Sequence, residues 1–184
     1  FSPPGRSGST APPGSGTGLT AKLVLRAFGI EAGSVRVESL RYNDAATRLR
    51  GGGLDAMFID GSYPLESVRN ATSLGGQLLS LGGAAIDQLR RDYPFLRRTV
   101  IPGGTYPGQP APIHTIGVET LLVCRRTLDE SLVHDLTRSF FDILPLLSAQ
   151  QDSLRMMDLD QARATPIPLH EGAARYYREL ELVK

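Results

Sequence analysis

One cysteine, no tryptophan and three histidines in 184 residues remove several chemistries at once. The lone Cys124 excludes an internal disulfide, and its apolar neighbours predict a buried structural thiol rather than a nucleophile. His114, His134 and His170 lie far apart and lack metal-ligand spacing, so neither a metal nor a cofactor is expected. No apolar run approaches the roughly 20 residues that span a bilayer. With 20 basic and 19 acidic side chains the net charge is only +1, so no nucleic-acid partner is expected. The arginines of "LRRDYPFLRR" read as the solvated face of a helix and its exit.

Glycine and proline, in contrast, are plentiful at 20 and 13, and they punctuate the chain. Residues 1–11 have the composition of a flexible leader. "GSGTGLTAKLVLRAFGI" then places a small-residue loop before a helical pattern that Gly29 can stop. "VRVESL" alternates as a strand, "NDAATRLR" reads as a short helix, and "LDAMFIDG" reads as a buried parallel strand. A short helix follows "SYP", "GQLLSL" gives a third strand, and "GGAAIDQLRRDYP" a further helix ending before Pro94. Strands and helices alternating at short spacing predict a small parallel α/β lobe over 12–100.

Beyond a crossover loop at 101–112 the order changes. "TIGVETLLVCR" reads as one long apolar strand. Residues 128–144 form the strongest amphipathic pattern, with Leu132, Leu136 and Phe140 on its stripe, Asp129 and Glu130 in its first turn, and Pro145 interrupting it. A second helical stretch to about Met157 and a terminal helix over 171–181 follow. One strand and a few helices do not close a sheet, so 113–184 is expected to complete a lobe begun elsewhere or to pack on a partner.

Two loops carry the functional signal. In "GSGT" the glycines let backbone amides converge at a helix start, while Ser15 and Thr17 add hydroxyls. Such a place suits a carboxylate, phosphate or sulfate. The same residues also fit a plain helix cap. "IPGGTYPGQ" is stiffened by Pro102 and Pro107 and holds Thr105 and Tyr106 between rigid turns, as a hinge alone or as a hinge that also touches a ligand. Asp55 and Asp60 look like a carboxylate pair, yet five apart on a strand they point to opposite faces. Asp60 lies at the carboxyl end, where parallel sheets place ligands. No nucleophile, base and orienting group fall together, so no catalytic residue is assigned and the chain is not expected to be an enzyme.

"PPGSGT" before a helix ending in "AFGI", "LRGGGLDAMFIDGSYP", "LRRDYPFLRRTVIPGGTYPGQ", "HTIGVETLLVCRRTLDESLVHDLTRSFFD" and "IPLHEGAARYYRE" occur here in one order. Together they resemble the TAXI family, the extracytoplasmic solute receptors of one class of tripartite ATP-independent periplasmic (TRAP) transporters. The resemblance implies a type II periplasmic-binding-protein-like α/β fold. One small lobe would be complete over 12–100, and 113–184 would be the C-terminal part of the other, whose opening third and signal peptide would lie upstream of Phe1. It further implies a small carboxylate ligand, such as glutamate, glutamine or a 2-oxo acid, in a periplasmic or extracytoplasmic location. Ser15, Gly16 and Thr17 match the lobe-two loop, and Thr105 and Tyr106 match the crossover loop. "GSYP" departs from the family, which has a smaller residue before the proline.

The implied partners are the membrane permease subunits of a TRAP transporter. A dimer, or an exposed apolar patch, is also expected where the stripe Leu132, Leu136, Phe140 and the 116–124 segment lack cover. Two other functions fit the same loops: an α/β enzyme acting on a small anion, and a receptor-derived regulatory or interaction domain.

Overall fold

The structure is a computed structural model describing residues 6–31, 33–151, 154–155, 157 and 162–182. The chain divides into two units, Phe1–Glu119 and Thr120–Lys184. The boundary falls after residue 119, so the 113–119 segment expected with the C-terminal part groups with the first unit.

In the first unit three parallel strands are ordered β2-β1-β3: β1 (Ser7–Thr10), β2 (Arg36–Ser39) and β3 (Ala56–Met57). The centre of that sheet is the surprise. Composition assigns "SGST" to a leader, yet these four residues are buried and pair on both sides, Ser7↔Arg36 to Thr10↔Ser39 and Gly8↔Ala56 to Ser9↔Met57. The leader expectation is therefore corrected for Ser7–Thr10; residues 1–5 lie outside the described residues. Small side chains suit this position because layers must approach a central strand closely, and its stability comes from the backbone ladder rather than from apolar area. Asp55 fixes the entrance to the strand, accepting from the Ser7 amide at 2.8 Å, the Ser7 hydroxyl at 3.1 Å and Arg6 Nη1 at 3.2 Å.

The crossovers are helical. α1 (Gly16–Ala27) links β1 to β2, α2 (Tyr42–Arg50) links β2 to β3, and α3 (Glu66–Thr72) and α4 (Ala84–Asp92) follow. Leu23 and Val24 of α1 pack with Ile86 and Leu89 of α4 and with Leu96, joined at the margin by Phe58 and Ile116. β4 (Arg97–Ile101) and β5 (Ile113–Gly117) form a separate antiparallel pair. Here the sequence reading fails twice. "RRTVI", whose arginines read as a helix exit, is a strand, whereas "GQLLSL" is irregular and reaches β5 through two bonds to the His114 carbonyl, from the Leu81 amide at 2.8 Å and the Ser80 hydroxyl at 3.3 Å. The long 115–125 strand is also shorter than expected: it ends at Gly117, opposite Arg97, where its partner begins. Beyond that point Leu122 is 96% exposed, and Cys124 is exposed rather than buried.

The second unit is built on α5 (Glu130–Gln150) against α6 (Glu171–Leu182). Asp129 caps α5, accepting from the Leu132 amide at 2.9 Å, and the helix continues through Pro145 instead of breaking there. Gly172 marks the closest approach of the pair: a Cβ there would lie 2.3 Å from the Glu130 carbonyl oxygen. Phe141 stacks on Tyr176 at 5.4 Å, and buried His134 bonds Glu179 at 2.8 Å. The bond from His134 holds the Glu179 carboxyl below its ordinary range. Leu132, Leu136 and Phe140 are exposed. The helical stretch expected to reach Met157 is the end of α5 as far as Gln150; residues 152, 153 and 156 lie outside the described residues.

The Asp55 geometry yields a pH prediction. The Ser7 amide, with help from the Ser7 hydroxyl and Arg6, lowers the Asp55 pKa from its ordinary 3.8. A carboxyl depressed in the folded state stabilises the protein above its unfolded pKa, and that contribution is lost as pH falls through the folded value. Asp55→Asn should therefore be less stable than the parent in urea at pH 7, with the gap closing as pH falls below about 4. A gap independent of pH would show that the carboxylate does not anchor β1.

Candidate functional site

Strand order 2-1-3 creates a switch point: the chain leaves β1 toward β2 on one side, and β3 returns on the other. Ligands of open parallel sheets bind outside the carboxyl ends of the strands at such a point. The loop after β1 (11–15) and the loop after β3 (58–65) flank it.

The first loop is shaped by "PPGS". The Ser15 amide donates to the Pro12 carbonyl at 3.2 Å, and Gly14 has φ +84°. Proline then glycine at the two central positions is the pattern of a type II turn, and the positive φ explains the glycine. Ser15 is the N-cap residue of α1, but its side chain makes no capping bond, and Oγ is buried without a partner. The plain helix-cap reading is thus not realised. No acidic residue occupies the first turn of α1. The first-turn amides of a helix have no intrahelical acceptor, and the helix end carries about half a positive charge. An unpartnered polar oxygen and a partial positive charge are left together.

Thr17 is buried, and its Oγ1 lies 2.7 Å from the Tyr42 hydroxyl. That hydroxyl donates to the Asp60 carbonyl at 3.0 Å and accepts from the Asp60 amide at 3.2 Å. Its single proton goes to the carbonyl, so Thr17 is the donor in the first contact. Tyr42 thereby ties the start of α1 to the loop after β3. Nothing local in the sequence marks an aromatic at the head of α2 as a tertiary clamp. Asp60 is drawn in as well: a Cβ on Gly16 would lie 3.8 Å from Asp60 Oδ2. Ser15, Gly16, Thr17 and Asp60 therefore meet at one place, while Asp55 sits at the opposite end of the sheet.

The model of the NMT1-like family matches residues 4–180. The chain belongs to that family. Its fold is α/β and periplasmic-binding-protein-like, with parallel and antiparallel sheets. Among the described residues no group of three or more His, Cys, Asp or Glu could hold a metal, and no helix is long and apolar enough to cross a membrane.

In this NMT1-like chain the two crossover-loop residues have internal roles. Thr105 donates to the Pro102 carbonyl at 2.7 Å, within its own loop. Tyr106 is buried, and its hydroxyl accepts from the Leu65 amide at 2.9 Å; burial raises its pKa, so the phenol stays neutral. Tyr63 reaches the other way, donating to the Val100 carbonyl at 3.1 Å. The two tyrosines lace the 58–65 loop to β4 and the crossover loop. Gly103 makes that loop possible, since a Cβ would lie 2.2 Å from the Pro110 oxygen. Tyr106 thus supports the 58–65 loop through the Leu65 amide.

Tyr42→Phe tests the clamp. It leaves the Thr17 hydroxyl and both Asp60 backbone groups short of a partner, with an expected cost of about 1–3 kcal/mol. Urea unfolding followed by circular dichroism measures it. A variant within about 0.5 kcal/mol of the parent, the range of ordinary surface changes, would show that the clamp contributes nothing.

Proposed function

We propose that this chain is the ligand-binding part of a solute receptor, capturing a small carboxylate at the α1 start and delivering it to a TRAP-type secondary transporter in an extracytoplasmic compartment. The observation that carries this reading is the unsatisfied start of α1: an N-cap serine with a buried, unpartnered oxygen at the carboxyl end of a central parallel strand. The family membership supports it. A ligand carboxylate would accept from the first-turn amides of α1 and from the Ser15 hydroxyl.

Asp60 refines the ligand. Its carboxylate beside Gly16 repels a bare anion but attracts an ammonium group next to the bound carboxylate. Glutamate or glutamine therefore fits better than a 2-oxo acid. Ser15, Gly16, Thr17 and Asp60 form the site; Thr105 and Tyr106 act through the loops they hold. The partners would be the permease subunits, and the exposed stripe Leu132, Leu136, Phe140 offers a face for a second copy or for the rest of the receptor.

Calorimetry with glutamate, glutamine and 2-oxoglutarate, using the chain together with any upstream part of the receptor, is the test. Removing one hydrogen bond to a charged group costs about 1.5–3 kcal/mol, so Ser15→Ala should weaken binding roughly 10–150-fold. Asp60→Asn should narrow the preference for glutamate over 2-oxoglutarate. Unchanged affinity in both variants would remove this crevice from the site.

A further inference from the structure

The contact between α5 and α6 carries a run of charged groups that the α1 crevice does not use. Arg138 meets Asp135 at 3.3 Å, Asp135 meets His134 Nδ1 at 3.2 Å, and His134 Nε2 meets Glu179 at 2.8 Å. Glu179 continues to Arg175 at 3.5 Å, and Arg175 to Glu130 at 2.9 Å. We propose that His134 is a proton-controlled latch between α5 and α6, fastening the helices when its ring carries two protons and loosening them when it carries one. The latch belongs to the second unit and does not depend on the ligand proposed for the first.

Hydrogen-bond capacity is the first support. A neutral imidazole has a single N–H, and an ionised carboxylate can only accept. Carboxylate oxygens stand at both ring nitrogens, so a neutral ring turns a lone pair toward one of them. Only the imidazolium donates to both.

Charge order is the second. Along Arg138, Asp135, His134, Glu179, Arg175 and Glu130 the signs alternate throughout only when the ring is positive. A neutral ring leaves three carboxylates facing two guanidiniums. Placement is the third: His134 is buried on α5 and Glu179 lies on α6, so the ring joins the two helices. The arginines stay charged at any ordinary pH. The Tyr176 ring stands edge-on to His134 at 6.1 Å, and burial raises its pKa, so that phenol stays neutral.

These contacts set the direction of the response. Bonds made in full by the charged ring contribute below the ordinary histidine range, about 6.5, and are lost as pH rises through it. Toward acid, the bond from His134 is the chief cause holding the Glu179 carboxyl below its ordinary 4.5, so the carboxylate keeps its charge throughout the range where the ring gains its own. His170 works in the opposite sense. Its Nδ1 accepts from the Gly172 amide at 3.2 Å, so Nε2 donates to the Leu128 carbonyl at 3.1 Å and the ring is neutral. Variants of the latch retain His170, so comparison with the parent removes its effect.

The test is NMR of the 184-residue chain at about pH 5.5 and about pH 8, on either side of the ordinary histidine range. The imidazole nitrogen shifts of His134 should show both nitrogens protonated at the lower pH. Protection of the Tyr177 and Arg178 amides against hydrogen exchange, corrected for intrinsic rates, should fall about two- to fivefold at the higher pH, the scale set by partners that are half exposed. Glu179→Gln should remove most of that fall, because a carboxamide can donate to the ring or accept from it in either state. Asp135→Asn should reduce it. A bare ring nitrogen on His134 at the lower pH, or the same fall in parent and both variants, would overturn the proposal. The ring signals of the parent decide the question even where a variant fails to fold.

Discussion

The first unit depends on four small residues being held as a strand. Ser7–Thr10 bring little apolar area, and they hold the middle of the sheet through backbone bonds to both neighbours. Amides from outside the strands extend the ladder: Leu40 donates to the Thr10 carbonyl at 2.9 Å, Asp55 to Ser7 at 3.0 Å and Phe58 to Ser9 at 2.8 Å. Because β1 is central, its end sets where α1 begins. Because β3 is its other neighbour, the Asp60 loop must emerge beside that start. The crevice is a consequence of the strand order, and Tyr42 locks it by bonding both sides.

This dependence explains what could be read from the sequence. Helices with a clear apolar stripe or terminating glycines, such as α1 and α5, were legible because periodicity and caps are local properties. Strand β1 was not. "SGST" has the composition of a linker, and only its two partners, over 25 residues away, make it a strand. "RRTVI" was obscured in the same way by its arginines, whose side chains lie outside an antiparallel pair. Where the apolar pattern outran the available partner, as at Leu122 and Val123, the expected strand ended with the pairing.

The candidate site was partly legible for the same physical reason. Glycines and hydroxyls before a helix reveal a place where amides converge, so Ser15, Gly16 and Thr17 could be named. Asp60 followed from the rule that ligands lie beyond the carboxyl ends of parallel strands. The roles within the group were not legible. Thr17 turns to Tyr42 and leaves Ser15 as the free hydroxyl, while Tyr106 holds the 58–65 loop through the Leu65 amide. Each assignment depends on a tertiary partner 25 or more residues distant, and no local pattern encodes it.

Amide hydrogen exchange, followed residue by residue with and without saturating glutamate, tests the central claim most directly. The account predicts slow exchange where the sheet pairs, at Leu40 and Phe58 as bonded to β1, regardless of ligand. It also predicts protection gained at Gly16, Thr17 and Gly18 when glutamate is added. Fast exchange at Leu40 and Phe58 would mean that β1 is not held as a central strand. Glutamate binding that leaves the amides of 16–18 unprotected would contradict the assignment of the ligand to the start of α1.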